Sequence, residues 1–394
     1  MYKMKNISIA AAMFIWLIMG CKENKIEPIY PAGDAPGLVK VSKVEALPGA
    51  VKVTYELPKE RDLLYVLAEY TDKYGRKIQN KSSTYTNSIT IDGFADTSTY
   101  NLLLYAVTRT EIRSEPTDLS VKCLLPPVYV ARKTMSLQAD FGGINVTFEN
   151  VAETPLSLIV AYKDDHGNYV DKETFYTSGK MVSLTARGFD SEETNFAVYL
   201  RDRWNNRTDT VFETLTPIFE KELDKSRFRS VTLPTDVAVG WGLPISNLWD
   251  NVIAAEGYMW HSTDATMPMH FTFDLGVEAQ LSRFVLWQRQ GQWIFNHGNP
   301  KRYELWGTTN PPVNGSWDNW QFLASCISEK PSKQPLGLNT AEDVAAAARG
   351  EETNIALDAP KVRYIRVKIL EPWVGPGGLA SHISEMTFYG NENN

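Results

Sequence analysis

One loop concentrates the residue types that recognise polar ligands. It runs Gly291-Gln-Trp-Ile-Phe-Asn-His-Gly-Asn-Pro300 and carries Trp293 and His297 between polar tips and two glycines. No strand period requires a Trp there, and loops on rigid scaffolds are where binding residues concentrate. An indole offers an apolar face with a hydrogen-bonding edge, the combination a sugar ring needs. The same bias marks the end of the chain, where nine of 11 Trp and four of five His lie after residue 240. Core packing of the loop is the alternative role for Trp293. Both roles are open for Trp373, which precedes Val-Gly-Pro-Gly-Gly378. Trp249, Trp287 and Trp306 sit in strand-like or turn patterns and read as core.

Other chemistry finds little support in spacing. Asp164-Asp165-His166 offers metal-ligand types, but Gly167-Asn168 follows at once and makes the segment a hairpin turn. Glycoside hydrolysis needs two carboxylates held about 5–9.5 Å apart, and no strand or helix end presents a characteristic pair. There is no Gly-x-Ser-x-Gly elbow, no His-Glu-x-x-His and no phosphate loop. The formal net charge of −7 lacks the basic footprint of a nucleic-acid binder. Three cysteines, Cys21, Cys123 and Cys326, form no even framework, so the last two are expected as buried thiols.

The elements that position such a loop are strands. At 394 residues the chain has room for two to four domains. From Leu38 short runs alternate with period two and break at turn residues every 8–12 positions, the pattern of a β-sandwich. The plan recurs once. Tyr70-Thr-Asp-Lys-Tyr-Gly75 is echoed by Tyr162-Lys-Asp-Asp-His-Gly167, Gly93-Phe94 by Gly188-Phe189, and Tyr105 and Arg109 by Tyr199 and Arg203. Two tandem sandwiches follow, 38–124 and 125–218, divided at Leu124-Leu-Pro-Pro127. Tyr100, just after a turn, resembles the tyrosine corner of immunoglobulin and fibronectin type III domains. Residues 219–240 read as a connector and 241–391 as a further β-domain. Thr340-Ala-Glu-Asp343 starts a helix over 340–349 that Gly350 ends.

At the other end, Lys3 and Lys5 precede an apolar run, 7–19, of signal-peptide length. It closes on Leu17-Ile18-Met19-Gly20-Cys21, which resembles a bacterial lipobox; an ordinary signal peptide with an incidental Cys is the alternative. Cleavage would leave Cys21 lipidated and 22–37 as a tether. Lys22-Glu23-Asn24 resembles the surface-export signal of Bacteroidetes lipoproteins.

The order of pieces after residue 240 carries a resemblance. Asp250 stands in a polar turn. Phe273-Asp-Leu-Gly276 ends one strand, Arg363-Tyr-Ile-Arg-Val-Lys-Ile369 is another with basic residues on its outer face, and Ser384-Glu-x-x-Phe-Tyr-Gly390 closes the domain. This resembles the discoidin, or coagulation factor 5/8 type C, jelly roll shared by family 32 carbohydrate-binding modules. The whole chain resembles Bacteroidetes lipoproteins with two small sandwiches before such a domain, found beside starch-utilisation-type glycan uptake machinery. The resemblance implies an all-β protein with two fibronectin type III/Ig-like sandwiches and a discoidin-like jelly roll. It implies a binding face at His261, Arg289, Asn296 and Trp373, beside Trp293 and His297. It also implies a structural Ca²⁺ near Asp250, closed by Glu385, although Asn251 replaces the family's usual Gly. The expected function is non-catalytic glycan binding on the outer face of the outer membrane, through a lipid anchor and beside transport proteins. A protein-binding adhesin or assembly subunit, and a glycan-active enzyme, are the alternatives.

Overall fold

A computed structural model describes residues 33–60 and 62–392, and they form an all-β protein. The expected signal peptide, Cys21 and the tether up to residue 32 lie outside the described residues. Among the described residues no helix is long and apolar enough to cross a membrane. The chain divides into two compact units: one ends at Val130 and takes in Arg203–Asn206, and the other holds Ala131–Asp202 and Arg207–Asn394.

The first unit is a sandwich. Strands β1 (Lys40–Leu47), β2 (Ala50–Glu56), β3 (Leu63–Thr71), β4 (Lys77–Ser83), β5 (Ser88–Asp92), β6 (Tyr100–Thr108) and β7 (Thr117–Val121) form sheets of order β1-β2-β5 and β4-β3-β6-β7. Alternation places Val51, Val53, Val66, Ala68, Leu102 and Leu104 in the core between them. Tyr100 donates its hydroxyl to Asp96 Oδ1 at 3.0 Å, fastening the turn that enters β6.

The second unit opens with a strand-for-strand copy. After a short helix α1 (Pro127–Lys133), strands β8 (Ser136–Asp140), β9 (Gly143–Glu149), β10 (Leu156–Lys163), β11 (Tyr169–Thr177), β12 (Met181–Arg187), β13 (Thr194–Asp202) and β14 (Val211–Leu215) pair as β8-β9-β12 and β11-β10-β13-β14. The repeated turn has a shared cause. Asp72 Oδ1 accepts the N–H groups of Tyr74 and Arg76, Asp164 Oδ1 accepts those of His166 and Asn168, and Gly75 and Gly167 supply the positive φ. The Asp164 segment is thus a hairpin turn, as its sequence indicates.

The rest of that unit is a two-layer jelly roll. Its strands are β15 (Lys221–Glu222), β16 (Arg229–Val231), β17 (Trp260–His261), β18 (Met269–Trp287), β19 (Pro300–Thr308), β20 (Gln321–Ile327), β21 (Glu351–Asn354), β22 (Val362–Pro372), β23 (His382–Ile383) and β24 (Glu385–Asn391). The 19-residue β18 serves both layers: its first half pairs with β16 and β22, its second with β24 and β21. It turns at Gly276, φ 70°, where a Cβ would lie 2.3 Å from the Arg227 carbonyl oxygen. Helix α2 (Ala341–Arg349) has the expected capping box of Thr340 and Asp343. Cys123 and Cys326 are buried free thiols.

Two expectations need correction. Residues 219–240 are not a connector, because β15 and β16 are strands of the jelly roll and Leu223 and Phe228 lie in its core. Arg366, expected on an exposed strand face, is fully buried. The 309–320 loop folds over it and places Trp317 and Trp320 on its guanidinium, at 4.8 and 4.4 Å from the ring centres. Its Nε donates to Thr272 Oγ1, and Nη1 to the carbonyls of Gly315 and Ser316.

Candidate functional site

A cleft of about 730 Å³ lies at one end of the jelly roll, between the start of the domain, the 253–258 loop, the 289–299 loop and the 374–381 loop. Such a volume suits a ligand of several rings. Four expected residues line it: His261, Arg289, Trp293 and His297.

The loop is held from beneath by Asn299, which is wholly buried. Its Oδ1 accepts the Arg289 N–H at 2.8 Å, and its Nδ2 donates to the Trp293 carbonyl at 2.7 Å and to the Arg289 carbonyl at 3.3 Å. Buried His382 completes the hub. Its Nε2 accepts the Gly298 N–H, so Nδ1 carries the proton and donates to Asn299 Oδ1 at 3.1 Å. Burial, with His261 nearby, holds this imidazole well below its usual pKa and hence neutral. Ile294 and Phe295 pin the loop's inner side by packing with Ala347 of α2.

On the cleft side, Arg289 donates Nε to the Ala255 carbonyl and Nη2 to Glu256 Oε2, both at 2.7 Å. Its guanidinium lies 4.0 Å from the centre of the Trp293 ring, and Trp293 Nε1 donates to Glu256 Oε1 at 3.1 Å. Glu256, Arg289 and Trp293 thus form one linked unit, with the His297 ring set edge-on to Trp293 at 4.5 Å. Further features come from Trp241, 84% exposed, and His261, whose Nδ1–H donates to the Ser262 carbonyl at 2.7 Å and whose ring lies 6.4 Å from that of Trp241.

Asn296 and Trp373 do not line the cleft. Asn296 Oδ1 is engaged by the His297 N–H in its own turn. Trp373 packs edge-on to Phe295 and donates Nε1 to Ser328 Oγ at 3.0 Å, so it supports the loop from behind. Sequence reasoning missed Trp241, Glu256, Asn299 and His382. Trp241-Gly242 carried a signal, an aromatic in a turn at the head of the domain; the other three become visible only when the loops meet.

The implied Ca²⁺ finds no open cage. Asp250 Oδ1 accepts the Val252 N–H at 2.8 Å. Glu385 is buried, and its Oε1 takes the Lys225 ammonium at 2.6 Å while Oε2 takes the Asn251 N–H at 3.2 Å. Lys225 Nζ also reaches Asn251 Oδ1 at 2.8 Å. An ammonium therefore stands against the carboxylate that would hold a metal, and the residues do not fit Ca²⁺, which needs six to eight oxygens. Asn251 has φ 64° and adopts the left-handed turn that Gly would supply.

Three family models match the chain, each described only as a domain of unknown function: DUF4959 over residues 36–123, DUF5126 over 124–226 and DUF5000 over 249–390. No curated protein matches. Among solved structures, the SusE-like protein BT2857 is 35% identical, with 68% of this chain and 99% of that chain covered and a TM-score of 0.45. A family 32 carbohydrate-binding module from a Clostridium perfringens family 31 glycoside hydrolase is 17% identical, with 43% and 95% covered and a TM-score of 0.33. The family 32 module of Streptococcus pneumoniae EndoD is 12% identical, with 44% and 96% covered and a TM-score of 0.27. On the strength of the first of these, which it spans almost end to end, this chain belongs to the SusE-like proteins.

Proposed function

We propose that the protein captures carbohydrate in the cleft of its jelly roll, without chemistry, as the surface component of a Sus-type uptake system. One observation carries the reading: the linked Glu256–Arg289–Trp293 unit and the exposed Trp241 border a single open cleft. Indole faces match the apolar faces of sugar rings, and the guanidinium and imidazole edges match hydroxyls. Lipid on Cys21 would hold the protein to the outer membrane, facing outward, where transport proteins of the same system accept the captured chain. The two sandwiches then act as spacers. A single site of this kind binds weakly, and crowding on a surface raises the effective affinity.

The test is affinity electrophoresis of the chain from residue 22 onward in gels containing individual polysaccharides. Retardation by a glycan, abolished in Trp293→Ala and Arg289→Ala proteins that still melt cooperatively, supports the reading. Absence of retardation across a broad glycan panel overturns it. Release of new reducing ends from a retained glycan would overturn the non-catalytic part alone.

A further inference from the structure

We infer that the cleft is built for uncharged carbohydrate and rejects acidic glycans such as uronates and sulfated chains. The inference rests on the proposed carbohydrate function and narrows its ligand class.

The argument is one of charge already matched. Arg289 is the only Lys or Arg among the described residues that line the cleft. Its charge is answered at 2.7 Å by Glu256. Its Nε is spent on a backbone carbonyl, and the guanidinium lies over the Trp293 ring, 4.0 Å from its centre. What remains are N–H groups able to meet a hydroxyl, with no unmatched positive charge behind them. A second carboxylate, Asp264, also lines the cleft, so the described walls set two carboxylates against one guanidinium. His382, the buried imidazole beneath the loop, is held neutral. An anionic sugar would bring a like charge into this setting, or would have to displace Glu256 from both Arg289 and Trp293. A like charge at contact distance in a solvated cleft weakens binding by about tenfold or more.

Glu256 is the element that sets this preference. It is two-thirds exposed, so its replacement does not disturb the core. Glu256→Gln keeps hydrogen-bonding atoms beside Arg289 and Trp293 but releases the guanidinium's charge to the cleft. The preference should then reverse toward anions.

The experiment takes a neutral polysaccharide that retards the chain from residue 22 onward, and the same polymer oxidised at C6 to the carboxylate. Binding of both is measured by affinity electrophoresis and by calorimetry at pH 8, where an ordinary imidazole is neutral. The expected result is binding of the neutral polymer, at least about tenfold weaker binding of its oxidised form, and a gap narrowed or reversed in Glu256→Gln. Equal or tighter binding of the oxidised polymer by the native protein overturns the inference while leaving carbohydrate capture standing. An unchanged gap in a folded Glu256→Gln protein overturns the role given to Glu256. Failure to bind any polymer, neutral or acidic, removes both this inference and the function beneath it.

Discussion

Asn299 spends all four of its hydrogen-bonding positions on keeping two chain segments in place. Asn299→Ala strands the Arg289 N–H, the Trp293 carbonyl and the His382 ring, at about 1–3 kcal/mol for each buried group left unsatisfied. Glycan retardation should vanish, and the melting temperature of the second unit should fall by several degrees. A variant with native stability and native binding would disprove the hub. Glu351 offers a pH test. Burial pushes its carboxyl up to about 7, against the hydrogen bonds of Ser328 and Gln288. Between about pH 4.5 and 7 the folded state therefore keeps a proton that the unfolded chain has released. The stability that Glu351 contributes is fully present below that window, is lost as pH rises through 7, and then levels. Thermal melts of the native and Glu351→Gln proteins from pH 5 to 8 should diverge, the native protein losing stability relative to the variant as pH rises through 7; the difference sets aside Glu385, His382 and His270, which titrate in both. Lys225 gives the sharpest contrast with a metal site. EDTA should leave the native melting temperature unchanged, whereas Lys225→Met strips the cation from Glu385, whose carboxyl burial already raises to about 7, so the melting temperature should fall and fall furthest at pH 8 and above. A Ca²⁺-dependent rise in the native melting temperature would refute the ammonium as the resident cation.

At the scale of elements, the boundary of the jelly roll is the practical question. A fragment beginning at residue 241 lacks β15 and β16 and the core residues Leu223 and Phe228. It should be insoluble or molten, while one beginning at residue 219 should show a cooperative melt and native-like circular dichroism. Helix α2 makes a smaller test, since Thr340→Ala removes a capping hydroxyl, at about 1 kcal/mol. What could be foreseen follows from local codes. The sandwich strands, their Asp–Gly turns and α2 are written in period, turn chemistry and caps within a dozen residues. The 219–240 segment defeated that reading because its strands are two and three residues long, too short for any period to register. Arg366 defeated it because its partners, Trp317 and Trp320, arrive from a loop some 50 residues earlier. The candidate loop 291–300 was legible from composition; that Trp373 faces its back, and Glu256 its front, was not.

For the whole molecule, the join inside the second unit matters most. Glu220 follows the second sandwich and accepts from Arg187 of that sandwich at 3.3 Å and from Arg283 and Ser282 of the jelly roll. Arg187 also donates to Asn354 of β21 at 2.9 Å. These mostly buried charges tie sandwich and jelly roll through one carboxylate. Glu220→Ala takes the shared carboxylate from both arginines, leaving Arg283 to Glu352 and Arg187 to Asn354, and calorimetry should show the second unit's melt separating into two transitions. One consequence of the Asn299–His382 pair remains. Three of the four chain positions that this pair grips outside itself are main-chain atoms of residues 289, 293 and 298, and the fourth is again the main chain of Arg289. The loop's course thus rests on these main-chain grips and on the inward Ile294 and Phe295, not on the rings turned toward the cleft. Positions 241, 256, 293 and 297 can be rewritten while the path persists, as type is reset in a fixed frame. A library randomised at those four positions should yield folded proteins whose clefts differ in what they hold.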